Sequence, residues 1–151
     1  MTGPFQWSLA LRRASALVLA ALCWASAAAA SGQQAGRSVW DGVYTPAQAA
    51  RGLAIYQQHC AMCHGPSLLG ADAPPLTGVE FTGNWNGLSL GALADRIRTA
   101  MPPDNPGALS AQERADVIAH ILNVGTFPSG ETELPRDAPS LTQIQFLATR
   151  P

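Results

Sequence analysis

The chain has 151 residues, 47% hydrophobic and 13% charged, with three cysteines and a formal net charge of −1. All nine basic residues are arginine, and a near-neutral chain of this kind lacks the basic footprint of a nucleic-acid binder. Its length supports one modest core, which is marginal unless something else contributes apolar surface at the centre.

In chain order, Arg12-Arg13 precede an apolar run from Ala14 to Leu22, and Ser26 to Ala30 are all small. A basic start, an apolar middle and an A-x-A-type end predict a cleaved secretory signal over residues 1–30. The run is shorter than the roughly 20 apolar residues needed to cross a bilayer. The expected product is therefore periplasmic, with no membrane span in the mature protein. Cys23 leaves with the signal, so the mature chain keeps only Cys60 and Cys63. The signal also takes two arginines and no acid, leaving seven basic against ten acidic residues, a net charge of −3.

Residues 31–45, with three glycines, read as an irregular leader. Residues 46–125 form the predicted domain. Thr45-Pro46 opens a helix, with threonine as N-cap and proline at the first helical position, where its missing N–H is not needed. Ala49, Leu53, Tyr56 and Cys60 recur at helical spacing and define its buried face. Gly52 within that helix costs up to ~1 kcal/mol relative to alanine, which a close crossing by another helix would repay. Residues 65–87 are rich in Gly and Pro without periodicity and read as loop. Ser89 caps a second helix with a stripe of Leu90, Leu93, Ala94 and Ile97. Ser110 and Glu113 make a capping box for a third, with Val117, Ile118, Ile121 and Leu122 inward and Gly125 as the stop. No strand pattern competes, so the fold class is all-α, with the first and last helices crossing at Gly52. Residues 126–151 form a Pro-rich tail whose apolar pattern (Leu141, Ile144, Leu147) is thin; it reads either as a docking strap or as disordered chain.

Chemistry concentrates in Cys60-Ala61-Met62-Cys63-His64. Two thiols three residues apart lie on one helical turn, where each can add across a porphyrin vinyl group, and the following histidine meets one axial face of the iron. This C-x-x-C-H spacing is that of covalent haem attachment. A thioredoxin-like pair belongs in a βαβ setting that is absent here, and a structural zinc site wants more ligands than the motif supplies. Met101 is the candidate for the second iron ligand, with core gap-filling as its plainer role. Pro102 disfavours the α conformation at the residue before it, so the helix ends near Ala100 and Met101 enters an extended loop stiffened by Pro102, Pro103 and Pro106. Met62 is too close to the histidine side to serve. His120 is the rival ligand, with solvent exposure or a hydrogen bond as its plainer role, and His59 reads as a surface residue. In the outer shell, Pro74 is the first candidate to accept the other ring N–H of His64. Trp85 either donates its indole N–H to a propionate or simply packs. Asp104 and Asn105 read as turn residues.

With these residues in hand, the chain resembles the monohaem class I cytochromes c, through Gly52-x-x-x-Tyr56-x-x-x-Cys60-x-x-Cys63-His64-Gly65, Pro74-x-Leu76, Met101-Pro102 and the closing helix. The resemblance implies three or more helices around one haem c, attached at Cys60 and Cys63 and ligated by His64 and Met101. Val39 to Thr45, Trp85-Asn86-Gly87, Met101 to Gly107 and the tail from Phe127-Pro128 to Glu133-Leu134-Pro135 are similar to the cytochrome domains that accompany quinoprotein (PQQ-dependent) alcohol dehydrogenases. That narrower likeness implies a quinoprotein dehydrogenase as electron donor and another cytochrome or a terminal oxidase as acceptor. The expected function is electron carriage without catalysis. The alternatives are a haem-based catalytic or gas-sensing protein with a labile Met101, and a cytochrome subunit bound within a larger oxidoreductase.

Overall fold

The structure, a computed structural model, describes residues 36–151; the expected signal over 1–30 lies outside them. Pro46–His59 form α1, entered through Thr45, whose side chain accepts the Gln48 N–H. A single turn, α2, follows at Ala61–His64. The chain then runs through α3 (Gly78–Trp85), α4 (Leu90–Ala100), α5 (Ala111–Val124) and α6 (Ala138–Thr142). Two short strands, β1 (Arg37–Ser38) and β2 (Ile144–Gln145), pair in parallel with Arg37 opposite Ile144. Among the described residues the fold is all-α, with helices making up all but two two-residue strands of the regular structure.

α1 and α5 cross in intimate contact. A Cβ added at Gly52 would sit 2.5 Å from the Asp116 carbonyl carbon and 3.0 Å from His120 Cβ, so only glycine lets the two backbones approach this closely. Asp116, though buried, is not orphaned. Its carboxylate takes two bonds from the Arg51 guanidinium at 3.0 and 3.1 Å and one from Gln112 at 2.8 Å. Arg51 also reaches Glu133 in the tail at 2.9 Å. The α5 start carries the expected capping box, Ser110 N–H to Glu113 Oε2 at 2.7 Å and Glu113 N–H to Ser110 Oγ at 3.2 Å. Every residue from Ala115 to Leu122 is buried. α5 is thus the central helix, covered on more faces than a single inward stripe would allow.

Four expectations need correction. Leu53 does not belong to the buried face of α1; it is 39% exposed, and Gln48 is buried instead. The approach at Gly52 rotates α1 so that Gln48, Ala49, Gly52 and Tyr56 face inward. Burying an amide is tolerated because Gln48 pairs both ways with the Leu134 backbone, Nε2 to O at 3.0 Å and N–H to Oε1 at 2.7 Å. The stretch 65–87 is not all loop, since α3 occupies Gly78–Trp85. Two glycines lower its intrinsic helicity, and the contacts of Phe81 and Trp85 outweigh that. The chain also contains strand pairing, but two residues per strand are too few to show alternation, and the partners are separated by most of the domain.

The tail, finally, is packed and not disordered. Phe127, Leu134, Leu141, Ile144 and Phe146 are all part of the core. Gly130 lies directly against Gly42, with its N–H bonded to Tyr44 O at 2.7 Å, while Tyr44 OH donates to Phe127 O at 2.7 Å. Prolines and glycines mask the pattern of this segment, whose apolar residues follow no single periodicity.

Candidate haem site

α1 delivers the motif to its place. Cys60 N–H still bonds back to Tyr56 O at 2.9 Å, and His64 N–H to Cys60 O at 2.9 Å, so Cys60 and Cys63 share the turn that joins α1 to α2. Gly65 then takes φ +76, a left-handed conformation that reverses the chain. Ala73 N–H to Cys63 O and Gly70 N–H to His64 O, at 2.9 and 3.0 Å, fold the following loop back beneath the histidine. That loop places the Pro74 carbonyl 2.7 Å from His64 Nδ1. A carbonyl can only accept, so Nδ1 carries the proton and Nε2 is left with a free lone pair. Tyr56 OH, buried, donates to Gly65 O and braces the same turn.

Met101 caps the C-terminus of α4 with φ −132 and ψ 144, the extended conformation that a following proline demands. Its N–H closes the last turn on Ile97 O at 3.0 Å, so the side chain leaves a well-defined helix end. Asn105 N–H to Pro102 O and Ala108 N–H to Asn105 O make the next residues a turn.

These elements surround one cavity of about 510 Å³, lined by Cys60, Cys63, His64, Pro74, Trp85 and Met101 together with Phe81, Leu93, Ile97 and Ile121. Its size falls within the roughly 300–1,000 Å³ of small-molecule and cofactor sites. The donor set, one imidazole nitrogen, one thioether and two free thiols on a mainly apolar wall, fits a covalently held haem. Among the described residues, no three His, Cys, Asp or Glu side chains converge to hold a bare metal ion. Burial pushes the Cys60 thiol up to about 11. Thiol–disulfide chemistry calls for the opposite shift, toward thiolate at neutral pH.

His59 is exposed, at the rim of the cavity. Trp85 is a packed wall residue whose ring lies 6.1 Å from Phe81. Arg96, exposed on α4 next to Ile97, also lines the cavity and was missed in the sequence; an arginine beside the apolar stripe was the available signal.

His120 requires correction. It is not solvent-exposed and does not line the cavity: it is 6% exposed and 5.4 Å from the Tyr56 ring, and its buried Nε2 has no hydrogen-bond partner among the described residues. The α1 crossing at Gly52 covers it. Burial lowers its pKa, so the unfolded chain takes up the proton first. Stability on this account is full above about pH 6.5, the unfolded value, and falls as pH drops below it. Denaturant midpoints measured from pH 7.5 to pH 5 are expected to fall, and His120→Gln to flatten that slope. Asp41, Glu113 and Asp137 have lowered values caused mainly by hydrogen bonds to Ser38, Ser110 and Ser140, and they cost stability only in a lower window, below about pH 4.

Fold and cavity together fit a covalently bound haem c, a cofactor that serves one-electron transfer. Residues 47–121, just under half of the 151-residue chain, match the family described as cytochrome C oxidase, cbb3-type, subunit III. Among solved structures, the sulfane dehydrogenase SoxCD from Paracoccus pantotrophus is similar at 21% sequence identity and a TM-score of 0.47, over 71% of this chain and 61% of that one. No curated protein sequence matches.

Proposed function

We propose that the protein is a periplasmic electron carrier in which Cys60 and Cys63 hold the haem through two thioethers and His64 and Met101 ligate its iron. The observation that carries this reading is the gathering of both thiols, Met101 and a His64 with Nδ1 already committed around one apolar cavity. When bound, the haem supplies one-electron exchange, at a potential raised by histidine–methionine ligation.

The chain's own residues hold and exclude. The Pro74 carbonyl fixes the imidazole tautomer and raises the basicity of Nε2. Met101 is presented by extended backbone at the end of α4, and the prolines after it limit its withdrawal. With both His64 and Met101 holding the iron, no position would be open to oxygen or peroxide. Arg96, in the cavity lining, would neutralise a propionate, and the Trp85 indole would be a second donor.

Carbon monoxide added to the reduced native protein at neutral pH is expected to leave its visible spectrum unchanged. Prompt binding would favour the catalytic or gas-sensing alternative. Cys63→Ala is expected to keep one thioether and a reduced yield of holoprotein. Pyridine extraction under denaturing conditions checks this, and haem retention equal to that of wild type with both links intact would contradict it.

The donor proposed is a quinoprotein dehydrogenase, on the likeness of Val39 to Thr45, Trp85-Asn86-Gly87 and Met101 to Gly107 to its cytochrome domains; the acceptor is another cytochrome or a terminal oxidase. Export rests on the signal read over residues 1–30. Stopped-flow mixing of the oxidised protein with a substrate-charged PQQ alcohol dehydrogenase tests the donor, and absence of reduction on the turnover timescale sinks it. The matched family's description as an oxidase subunit favours a second reading, a cytochrome held within a larger oxidoreductase. Co-purification as a fixed-stoichiometry complex would establish that reading.

A further inference from the structure

The tail reaches the haem cavity from behind. Phe146, directly after β2, is 1% exposed, with its ring edge-on to Phe81 at 5.7 Å and to Phe127 at 5.2 Å. Phe81 is in turn 6.1 Å from Trp85. Phe81 and Trp85 line the cavity, whereas Phe146 does not. The backbone pins this ring at the end of α3: Phe146 N–H donates to Leu88 O and Gly87 N–H to Phe146 O, both at 2.8 Å. Flanking bonds from Ala148 N–H to Asn86 Oδ1 and from Trp40 Nε1 to Leu147 O, both 2.9 Å, hold the same stretch in place. α3 has little else to anchor it, since Phe81 alone of its eight residues is buried. A cavity wall thus depends on a side chain more than sixty residues away, in a segment that lies beyond the matched family region.

We propose that Phe146 is a positioning residue for the haem pocket: by backing Phe81 it holds α3, and with it Trp85, against the cofactor and keeps water out of the cavity. The inference rests on the haem reading above. A drier surround disfavours the more highly charged ferric state, so a well-seated α3 keeps the potential high and outside ligands away from the iron. The tail then acts within the protein, as a strap on its own redox site.

The test uses the full-length holoprotein and three variants, Phe146→Ala, Phe146→Leu and Leu134→Ala. Leu134 is 2% exposed in the same tail but bonds to Gln48 and does not line the cavity, so it controls for lost core packing. The midpoint potential, imidazole affinity of the ferric protein and denaturant midpoint are measured for each. Phe146→Ala is expected to bind imidazole about tenfold more tightly, the lower end of the effect of losing an outer-shell partner, and to lower the potential. Phe146→Leu, which keeps most of the volume, is expected to fall between it and wild type, and it carries the test where the alanine variant does not accumulate. Leu134→Ala is expected to lose stability with potential and imidazole affinity unchanged. A Phe146 variant that loses only stability, or a Leu134→Ala variant that shifts the haem properties equally, overturns the proposal. Wild type without a haem spectrum would overturn the reading beneath it instead.

Discussion

Gly52→Ala is expected to destabilise the protein by about 3 kcal/mol or more, the upper end of overpacking penalties, because the obstacle is main chain and not a movable side chain. The added methyl would meet the Asp116 carbonyl and His120 Cβ, so α1 and α5 would have to separate. Separation breaks more than packing: Arg51 is drawn from a buried Asp116, and Gln48 from the Leu134 backbone. Against a typical total of about 5–15 kcal/mol, such a loss leaves little folded protein. Because α1 also carries Cys60, haem attachment should fall with it. The matched control is Gly83→Ala in α3, where a Cβ meets nothing within 4 Å. That change is expected to stabilise by about 0.5–1 kcal/mol through helix propensity alone. Denaturant melts of both variants check the pair, and equal effects would mean that the α1–α5 approach is looser than described.

Met101→Ala is expected to leave the haem attached while transforming the behaviour of its iron. The methionine is half-buried at the end of α4, and its backbone bond to Ile97 survives the substitution, so the fold should hold. The lost thioether leaves a gap on the cavity side that water, imidazole or cyanide can fill. Soft sulfur favours ferrous iron, so the potential is expected to fall by on the order of a tenth of a volt or more, a fraction of the ~0.8 V that axial ligands span. Redox titration and cyanide binding to the oxidised variant check this. Wild-type behaviour in the variant would mean that Met101 is not the ligand. His120 would be a poor replacement, being packed on Tyr56 between α1 and α5 and away from the cavity.

Much of this site was legible because its logic is local. Cys60, Cys63 and His64 lie within one turn, so their chemistry is encoded by spacing. The end of α4 at Met101 follows from the steric demand of Pro102 on the preceding residue. Caps at Thr45, Ser89 and Ser110 use side chains three residues from the N–H groups that they satisfy, and each forms as expected. The close helix approach at Gly52 was also readable, since a glycine inside a helix is unfavourable without a compensating contact.

What escaped the sequence depends on partners far along the chain. Leu53 lies outside its expected buried face and Gln48 lies inside because helix rotation is set by the contact at Gly52, and because an amide can be buried when Leu134, from another segment, bonds to it. α3 forms despite two glycines because Phe81 and Trp85 find Phe146 and the cavity edge. The strand pair, the packing of the tail and the isolation of His120 have the same origin. Local spacing and backbone sterics thus determined the haem motif, the helix ends and the class of fold from the sequence by itself. Only the tertiary structure decided which face of α1 is buried, what supports the cavity wall and where the tail goes, because those outcomes are set by burial against residues that no short window of sequence contains.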